Sequence, residues 1–273
     1  MTELLFEGIS PMQNPLFSMQ DKICVITGGS RGLGKAMARA FLHAGAKRVY
    51  VTARKPEECE QTAAELSDLV DNGECIALPG DMSSGEEIAR FARSLADRES
   101  HIDVLVNNAG AGWMASVEEF PEIGWDKVMD LNVKTPFFLT QQLLPLLKAN
   151  ATPESSASVI NIGSIAGIMG SAGSGVSYGT SKAAIHQLTR NLASLLAEDN
   201  IRVNAIAPGR FHSKMTSHVE QDKQQYDHEI KMIPLHRWGH DADIMGPALL
   251  LASQAGAYMT GEIIAVDGGF LVT

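Results

Sequence analysis

The stretch Ile23-Cys24-Val25-Ile26-Thr27-Gly28-Gly29-Ser30-Arg31-Gly32-Leu33-Gly34 decides the fold. Its apolar start reads as a strand buried on both faces, as in a parallel sheet. The glycines at 28, 32 and 34 then turn the chain abruptly into a helix. Such a turn needs a permissive backbone, and a chain without Cβ atoms can approach a pyrophosphate closely. The exposed N–H groups and the positive end of the helix dipole favour phosphate at that point. Outward from this turn, strand and helix patterns alternate. Strands are expected at 23–27, 48–53, 75–78, 104–107, 159–162, 203–206 and 263–266, with the longest helical stretches near 125–148 and 178–198. That alternation predicts an α/β fold: a single domain with a parallel sheet of about seven strands and helices on both faces.

Length and composition agree with one domain. The chain has 273 residues, 45% of them hydrophobic, enough for one substantial core. No apolar run reaches the length of a membrane span. Residues 1–20 carry Glu3 and Glu7 and no basic start, which argues against a secretory signal and predicts a frayed N-terminal arm before a domain at 21–273. Three cysteines without metal-like spacing fit a reduced, cytoplasmic protein. The net charge of −10, without basic runs, excludes nucleic acid and an anionic membrane as expected partners. At 210–237 methionines, histidines and mixed charges break the alternation, and this excursion is expected to be a substrate lid.

Chemistry enters with Tyr178 and Lys182, which follow Ser164 in a serine- and glycine-rich loop. Four residues is about one helical turn, so phenol and ammonium share a face. A nearby cation lowers the cost of a tyrosinate, and such a tyrosine can exchange a proton with a carbonyl or alcohol oxygen. Pro136 has no N–H, so a helix through it leaves the Asn132 carbonyl without its usual i+4 donor. An orphan acceptor beside a site suits a bound water, although a plain proline kink would also explain Pro136. The end of the second strand, Val51-Thr52-Ala53-Arg54-Lys55, lacks the acid that binds a ribose 2′-hydroxyl. Arg31 and Arg54 could instead fork onto a 2′-phosphate, or be two solvated surface arginines; NADP(H) is the expected cofactor.

Taken in order, the glycine run, Asn107-Asn108-Ala109-Gly110, Ser164 and Tyr178-x-x-x-Lys182 resemble the short-chain dehydrogenase/reductase family over about 21–270. Within it the chain is similar to the 3-oxoacyl (ketoacyl) reductases, through the segment 206–216 and the ending Tyr258-Met-Thr-Gly-Glu262 with Asp267-Gly268-Gly269, and resembles their rhamnolipid-associated branch. The resemblance implies a Rossmann fold with Gly28, Ser30, Arg31, Gly32, Leu33 and Gly34 around the phosphates and Arg54 at the ribose. It also implies Asp81 and Met82 at the adenine, unless Asp81 only caps its loop, and Asn108, Ala109 and Gly110 along the adenosine ribose. Tyr178 would be the acid/base and Lys182 its pKa-lowering partner, which also grips the nicotinamide ribose. Ser164 would hold the substrate oxygen, and Asn132 would anchor a proton relay. Pro208 and Gly209 would shape the nicotinamide pocket with Phe211 and Ser213, where relatives often have a β-branched aliphatic and a threonine. Similar reductases form homotetramers through the two long helices and the C-terminal region. The leucines 143, 144, 146, 147, 188, 192 and 195 suggest a homotetramer or homodimer here.

The eight histidines, five of them near the lid (His212, His218, His228, His236 and His240), show no metal spacing, so no metal is expected. His212 could touch substrate, and Met114, Met169, Met215 and Met232 could line the pocket, though core packing is the commoner fate of methionine. The expected function is NADPH-dependent reduction of a 3-oxoacyl-type ketone to a secondary alcohol. The alternatives are an NAD(P)-dependent alcohol or polyol dehydrogenase working oxidatively, and a non-catalytic cofactor sensor. Basic side chains are sparse near the site, which predicts little preference for substrate on an acidic carrier protein.

Overall fold

Seven strands, β1 (Ile23–Thr27), β2 (Arg48–Thr52), β3 (Glu74–Ala77), β4 (Val104–Asn107), β5 (Ala157–Ile162), β6 (Ile201–Pro208) and β7 (Ile263–Val266), make one sheet in the order β3-β2-β1-β4-β5-β6-β7. Every pairing is parallel. The structure, a computed structural model, describes residues 15–170, 175–212 and 216–273. The sequence places each strand to within a few residues. The largest difference is β6, which runs on to Pro208 and pairs it with Val266. A proline is tolerated there because the strand ends at that residue.

Helices connect the strands: α1 (Gly32–His43), α2 (Pro56–Ser67), α3 (Gly85–Ala96), α4 (Glu122–Met129), α5 (Thr135–Lys148) and α6 (Val176–Leu196), then α7 (Ser217–Gln221), α8 (Lys223–Lys231) and α9 (Asp241–Ala252). The two-residue alternation of strand side chains divides the interior into two layers. On β1, Cys24 and Ile26 pack with α1, α2 and α9 residues such as Phe41, Leu66 and Leu251. Ile23 and Val25 face the other way, toward Phe91 of α3, Leu143 of α5 and Leu192 of α6. Strands β4, β5 and β6 divide in the same fashion, so the sheet is apolar on both faces.

The helical stretch expected at 125–148 is not one α-helix. Between α4 and α5 the residues Asp130–Lys134 form a π-helical turn. The cause lies in the sequence: Pro136 removes an N–H one turn later, and a widened turn is one way for a helix to pass such a defect. Asn132 lies in the middle of that turn, with its side chain buried.

The leucines of α5 and α6 differ from expectation. Leu143, Leu146, Leu147 and Leu192 are core residues, and Leu144 and Leu188 pack against the core, which leaves Leu195 exposed. The large apolar side chains that reach solvent are Ile123 and Trp125 on α4, Phe138 on α5, and Val176 and Leu195 on α6. Of the N-terminal arm, 1–14 lie outside the described residues. Its end is docked through Met19, which is buried and donates its N–H to the Ala44 carbonyl (2.8 Å), while Leu16 and Phe17 are exposed.

Candidate active site

The strand order reverses between β1 and β4, where both neighbours of the crevice connect to helices on opposite faces of the sheet. Open α/β sheets bind ligands at the carboxyl ends of strands beside such a reversal. There the glycine turn is tied to the loop after β4. Asn108 Nδ2 donates to the carbonyls of Thr27 (2.8 Å) and Gly28 (3.0 Å), and the Asn108 and Ala109 amides donate to Thr27 Oγ1 (2.9 and 3.0 Å). Gly28 has φ +63°, which favours glycine, and a Cβ on Gly34 would lie 2.6 Å from Asn108 Nδ2. Glycine is therefore required at both ends of the turn, once for conformation and once for space. Asn107 points the other way and braces β4 to β5: its Nδ2 donates to Asn161 Oδ1 (2.9 Å), and Asn161 Nδ2 donates to Thr189 Oγ1 of α6 (2.9 Å).

The glycine turn is also fastened to β2 and α2, through Gly29 N–H to the Thr52 carbonyl (3.1 Å) and Thr62 Oγ1 to the Ser30 carbonyl (2.7 Å). This brings Arg31 and Arg54 to the same end of the sheet, both exposed. Arg31 Nη1 is 3.8 Å from Glu58 Oε2, and Lys55 Nζ is 2.6 Å from Glu58 Oε1, so three cations and one carboxylate gather there. After β3, Asp81 Oδ1 accepts the Ser83 amide (3.0 Å), so its local capping role is present, while Ser84 caps α3. The Met82 carbonyl accepts from Thr135 Oγ1 (2.6 Å), fixing this loop to the start of α5.

Across the crevice, α6 buries a stripe that changes character along its length. Up to Thr189 it buries Ser177, Ser181, Lys182, His186 and Thr189, with Ile185 the one apolar side chain among them; beyond that it buries Leu192, Ala193 and Leu196. Burying polar groups is costly unless they are hydrogen-bonded, so this stretch calls for partners opposite. Among the described residues Ser177 Oγ and His186 Nε2 have no such partner. Asn132 supplies one for Ser181: it donates to Ser181 Oγ (2.9 Å) and clamps Ala111 through both main-chain groups, accepting its N–H (2.8 Å) and donating to its carbonyl (2.9 Å). Ser164 begins the 3-10 turn Ile165–Gly167 after β5 and accepts the Ala166 amide (3.2 Å).

Lys182 Nζ donates to the Ile162 carbonyl (2.7 Å) and lies 5.6 Å from the centre of the Tyr178 ring. Burial pushes its pKa down to about 8. Burial likewise raises the Tyr178 phenol, against a lowering hydrogen bond from Ser164 and the lowering charge of Arg210. The spacing predicted Lys182 as the cation acting on the phenol. In the structure the Lys182 ammonium lies over the Tyr178 ring and at the same time donates to the Ile162 carbonyl. His186 continues the ladder one turn beyond Lys182, and burial with the nearby Lys182 and Arg190 charges lowers its pKa to about 4.

Pro208 ends β6, and the Gly209 amide donates to the Val266 carbonyl (2.9 Å). The Phe211 ring is buried in the core beside α9, so only its main chain is left to face a ligand. Ser213 and Met215 lie outside the described residues. Met114 and Met232 are exposed and Met169 is half-buried. His212 stacks on His240 with ring centres 5.4 Å apart, and Tyr226 meets Trp238 edge-on at 4.9 Å. Among the described residues no three His, Cys, Asp or Glu side chains gather as a metal site would require. Nor, among them, is any helix long and apolar enough to cross a membrane. Sequence reasoning missed Arg210 and His186. His186 was signalled by its place four residues after Lys182, on the same helical face.

Residues 28–271 match the family described as enoyl-(acyl carrier protein) reductase. The chain is 48% identical to the rhamnolipids biosynthesis 3-oxoacyl-[acyl-carrier-protein] reductase of Pseudomonas aeruginosa, over 94% of this chain and 99% of that one. It is 35% identical to the 2-dehydro-3-deoxy-D-gluconate 5-dehydrogenase of Escherichia coli, over 93% of this chain and 97% of the relative. Among solved structures, the RhlG/NADP active-site complex of P. aeruginosa superposes with a TM-score of 0.90 at 47% identity, covering 94% of this chain and 99% of that one.

Proposed function

This chain belongs to the short-chain dehydrogenase/reductase family, and from that premise we propose that it reduces a 3-oxoacyl-type ketone to a secondary alcohol with NADPH. The observation that carries this reading is the convergence of Tyr178, Lys182 and Ser164 on one face of the crevice whose other face is the glycine turn.

The residues at hand fit a dinucleotide: a glycine turn without Cβ atoms at the start of α1, and two exposed arginines where a ribose 2′-phosphate would lie. Gly28, Ser30, Gly32, Leu33 and Gly34 would hold the phosphates. Asp81, Met82, Asn108, Ala109 and Gly110 would line the adenosine, and Lys182, Pro208 and Gly209 the nicotinamide end. When bound, the cofactor supplies hydride. Tyr178 gives the proton to the oxygen that becomes the alcohol. Ser164, just past the end of β5, orients the ketone oxygen and helps hold its developing charge. Lys182 keeps a buried positive charge under the site, and Asn132 holds the Ala111 loop and α6 in register. The lid at 210–237 covers the substrate. The exposed apolar side chains of α4 to α6 support a homotetramer, and the three free, buried cysteines fit the reducing cytoplasm. Lid cation Lys223 is paired with Asp227 (2.8 Å), which favours small thioesters and ketones over carrier-bound substrate.

A second reading, oxidation of an alcohol or polyol, is favoured by the likeness to the gluconate-type dehydrogenase. One assay separates the two: NADPH and NADH oxidation across 3-oxoacyl thioesters and simple ketones, against NADP+ reduction across sugar acids and polyols. Fast NADPH-dependent ketone reduction is expected. Preference for NADH, or turnover only with polyols, would overturn the reading. In the same assay Arg54→Asp should cost more than about tenfold in the NADPH-to-NADH ratio, since it replaces a charge-assisted bond by repulsion.

A further inference from the structure

Ser164 stands between two glycines, and both are pressed against α6. At the far end of its turn, a Cβ on Gly167 would lie 2.6 Å from the Ala183 nitrogen and 2.6 Å from the Lys182 carbonyl oxygen. Real Cβ atoms do not come so close, so the turn rests backbone on backbone beside the lysine. At the near end the neighbour is a side chain. A Cβ on Gly163 would run into His186 Nε2 and lie 2.6 Å from its Cδ2, so the imidazole fills the space that a larger residue would need. Gly163 is itself tied to β6, its amide donating to the Ile206 carbonyl (2.7 Å). The residue before it, Ile162, accepts from Lys182 Nζ (2.7 Å). The ring therefore sits where the end of β5, the lysine and the serine meet.

His186 is 4% exposed, and its Nε2 has no hydrogen-bond partner among the described residues. An orphaned polar atom in a buried place is costly, and an apolar side chain here would avoid that cost. What the imidazole offers instead is a flat, rigid plate that fits against bare backbone. From this geometry we propose that His186 is a positioning residue for Ser164: its ring is the spacer that sets how far the end of β5 stands from α6, and hence where the serine hydroxyl stands in the crevice. The contact at Gly167 fixes one end of the turn, and the ring fixes the other. Without the ring, the Gly163 main chain has room to sink toward the helix, and Ser164 turns with it. A proton-carrying role for His186 fits the structure less well, because among the described residues its Nε2 meets no group through which a proton would pass.

The inference rests on Ser164 as the residue that orients the ketone oxygen. Its test is a double-mutant cycle on ketone reduction with NADPH, in wild type, His186→Ala, Ser164→Ala and the two combined. His186→Ala should lower kcat/KM by about tenfold, mostly through kcat. In the Ser164→Ala background the same change should cost less than about twofold, because the serine it positions is gone. His186→Phe, which keeps a flat ring, should recover most of the loss. A loss of the same factor in both backgrounds overturns the proposal, as does no loss at all. If Ser164→Ala alone keeps wild-type kcat/KM, the serine's own role fails, whereas failure of the spacer shows only in the comparison of the two backgrounds. A second measurement does not depend on turnover. Gly163→Ala should lower the melting temperature, and adding His186→Ala should recover part of that fall, since the methyl then enters the space the ring has left. A double variant whose melting temperature falls by the sum of the two single losses would make ring and glycine independent, and the spacer wrong.

Discussion

Helix α6 runs unbroken for 21 residues and sets Tyr178, Lys182 and His186 on one face by its period alone. Opposite it, the chain from Glu122 to Lys148 is helical in three pieces, and it places Asn132 by interrupting the period with a π-turn. Both segments deliver polar side chains into a buried place. Regular geometry is enough where the function needs side chains at intervals of one turn. A break arises where the residue one turn later is a proline, as Pro136 is to Asn132, because the missing N–H leaves a defect that a widened turn passes. The two are joined directly by Asn132 Nδ2 and Ser181 Oγ, so the irregular segment is held against the regular one.

The largest test of this contrast removes chemistry from the regular side. Tyr178→Phe should reduce turnover by about a thousandfold while leaving NADPH affinity, followed by nucleotide fluorescence, within about threefold of wild type. The ring stays in its packing and only the exchangeable proton goes. Substantial turnover in purified protein would refute the assignment.

A middle-sized effect is expected from the irregular side. Asn132→Ala removes three hydrogen bonds from a buried site, at a cost of about 3 kcal/mol in unfolding free energy, measured by denaturant titration. Pro136→Ala should behave differently. It restores an N–H where the helix lacks one, so stability should hold or rise while turnover falls by about tenfold. If Pro136→Ala leaves turnover unchanged, the interruption is only packing and the contrast with α6 disappears.

The smallest effect concerns His186 and acid. Its folded pKa is about 4, below the ordinary histidine value near 6.5, because burial and the Lys182 and Arg190 charges oppose protonation. The unfolded chain therefore takes up the proton first. His186 costs nothing above about pH 6.5, and stability falls as pH drops from 6.5 toward 4, by at most about 3 kcal/mol. His186→Gln should flatten the melting temperature across that window. A slope that persists in the variant would assign it to other groups; Glu65 and Asp243, whose carboxyls are held low by Lys35 and Arg237, contribute at lower pH.

Much of this was legible in the residues. The glycine turn after an apolar strand marked where β1 gives way to α1, and short apolar runs alternating with helical patterns found all seven strands. Pro136 revealed that the Asn132 carbonyl would lack a donor, but not that the helix would answer by widening, since that depends on what packs beside it. The leucines of α5 and α6 looked like surplus apolar surface because a sequence shows the width of a stripe and not the depth of the layer covering it. His186 drew no separate reading among the eight histidines, because only the fold sets it against Gly163, where its ring fills the space a Cβ would need. Arg210 was invisible for a related reason. Its ion pair is with Glu229 (3.1 Å), 19 positions later on a helix whose own pattern is polar nearly all round.

The amide-to-amide line from Asn107 through Asn161 to Thr189 has a mechanical consequence. It crosses the sheet under the crevice, from the strand beside the nucleotide turn to the helix that carries the tyrosine. Hydride transfer tolerates little error in the distance between donor and acceptor. With this transverse tie the two walls cannot splay independently without breaking buried hydrogen bonds. Motion that changes the gap is therefore costly, and the cheaper motions are those of segments outside the tie.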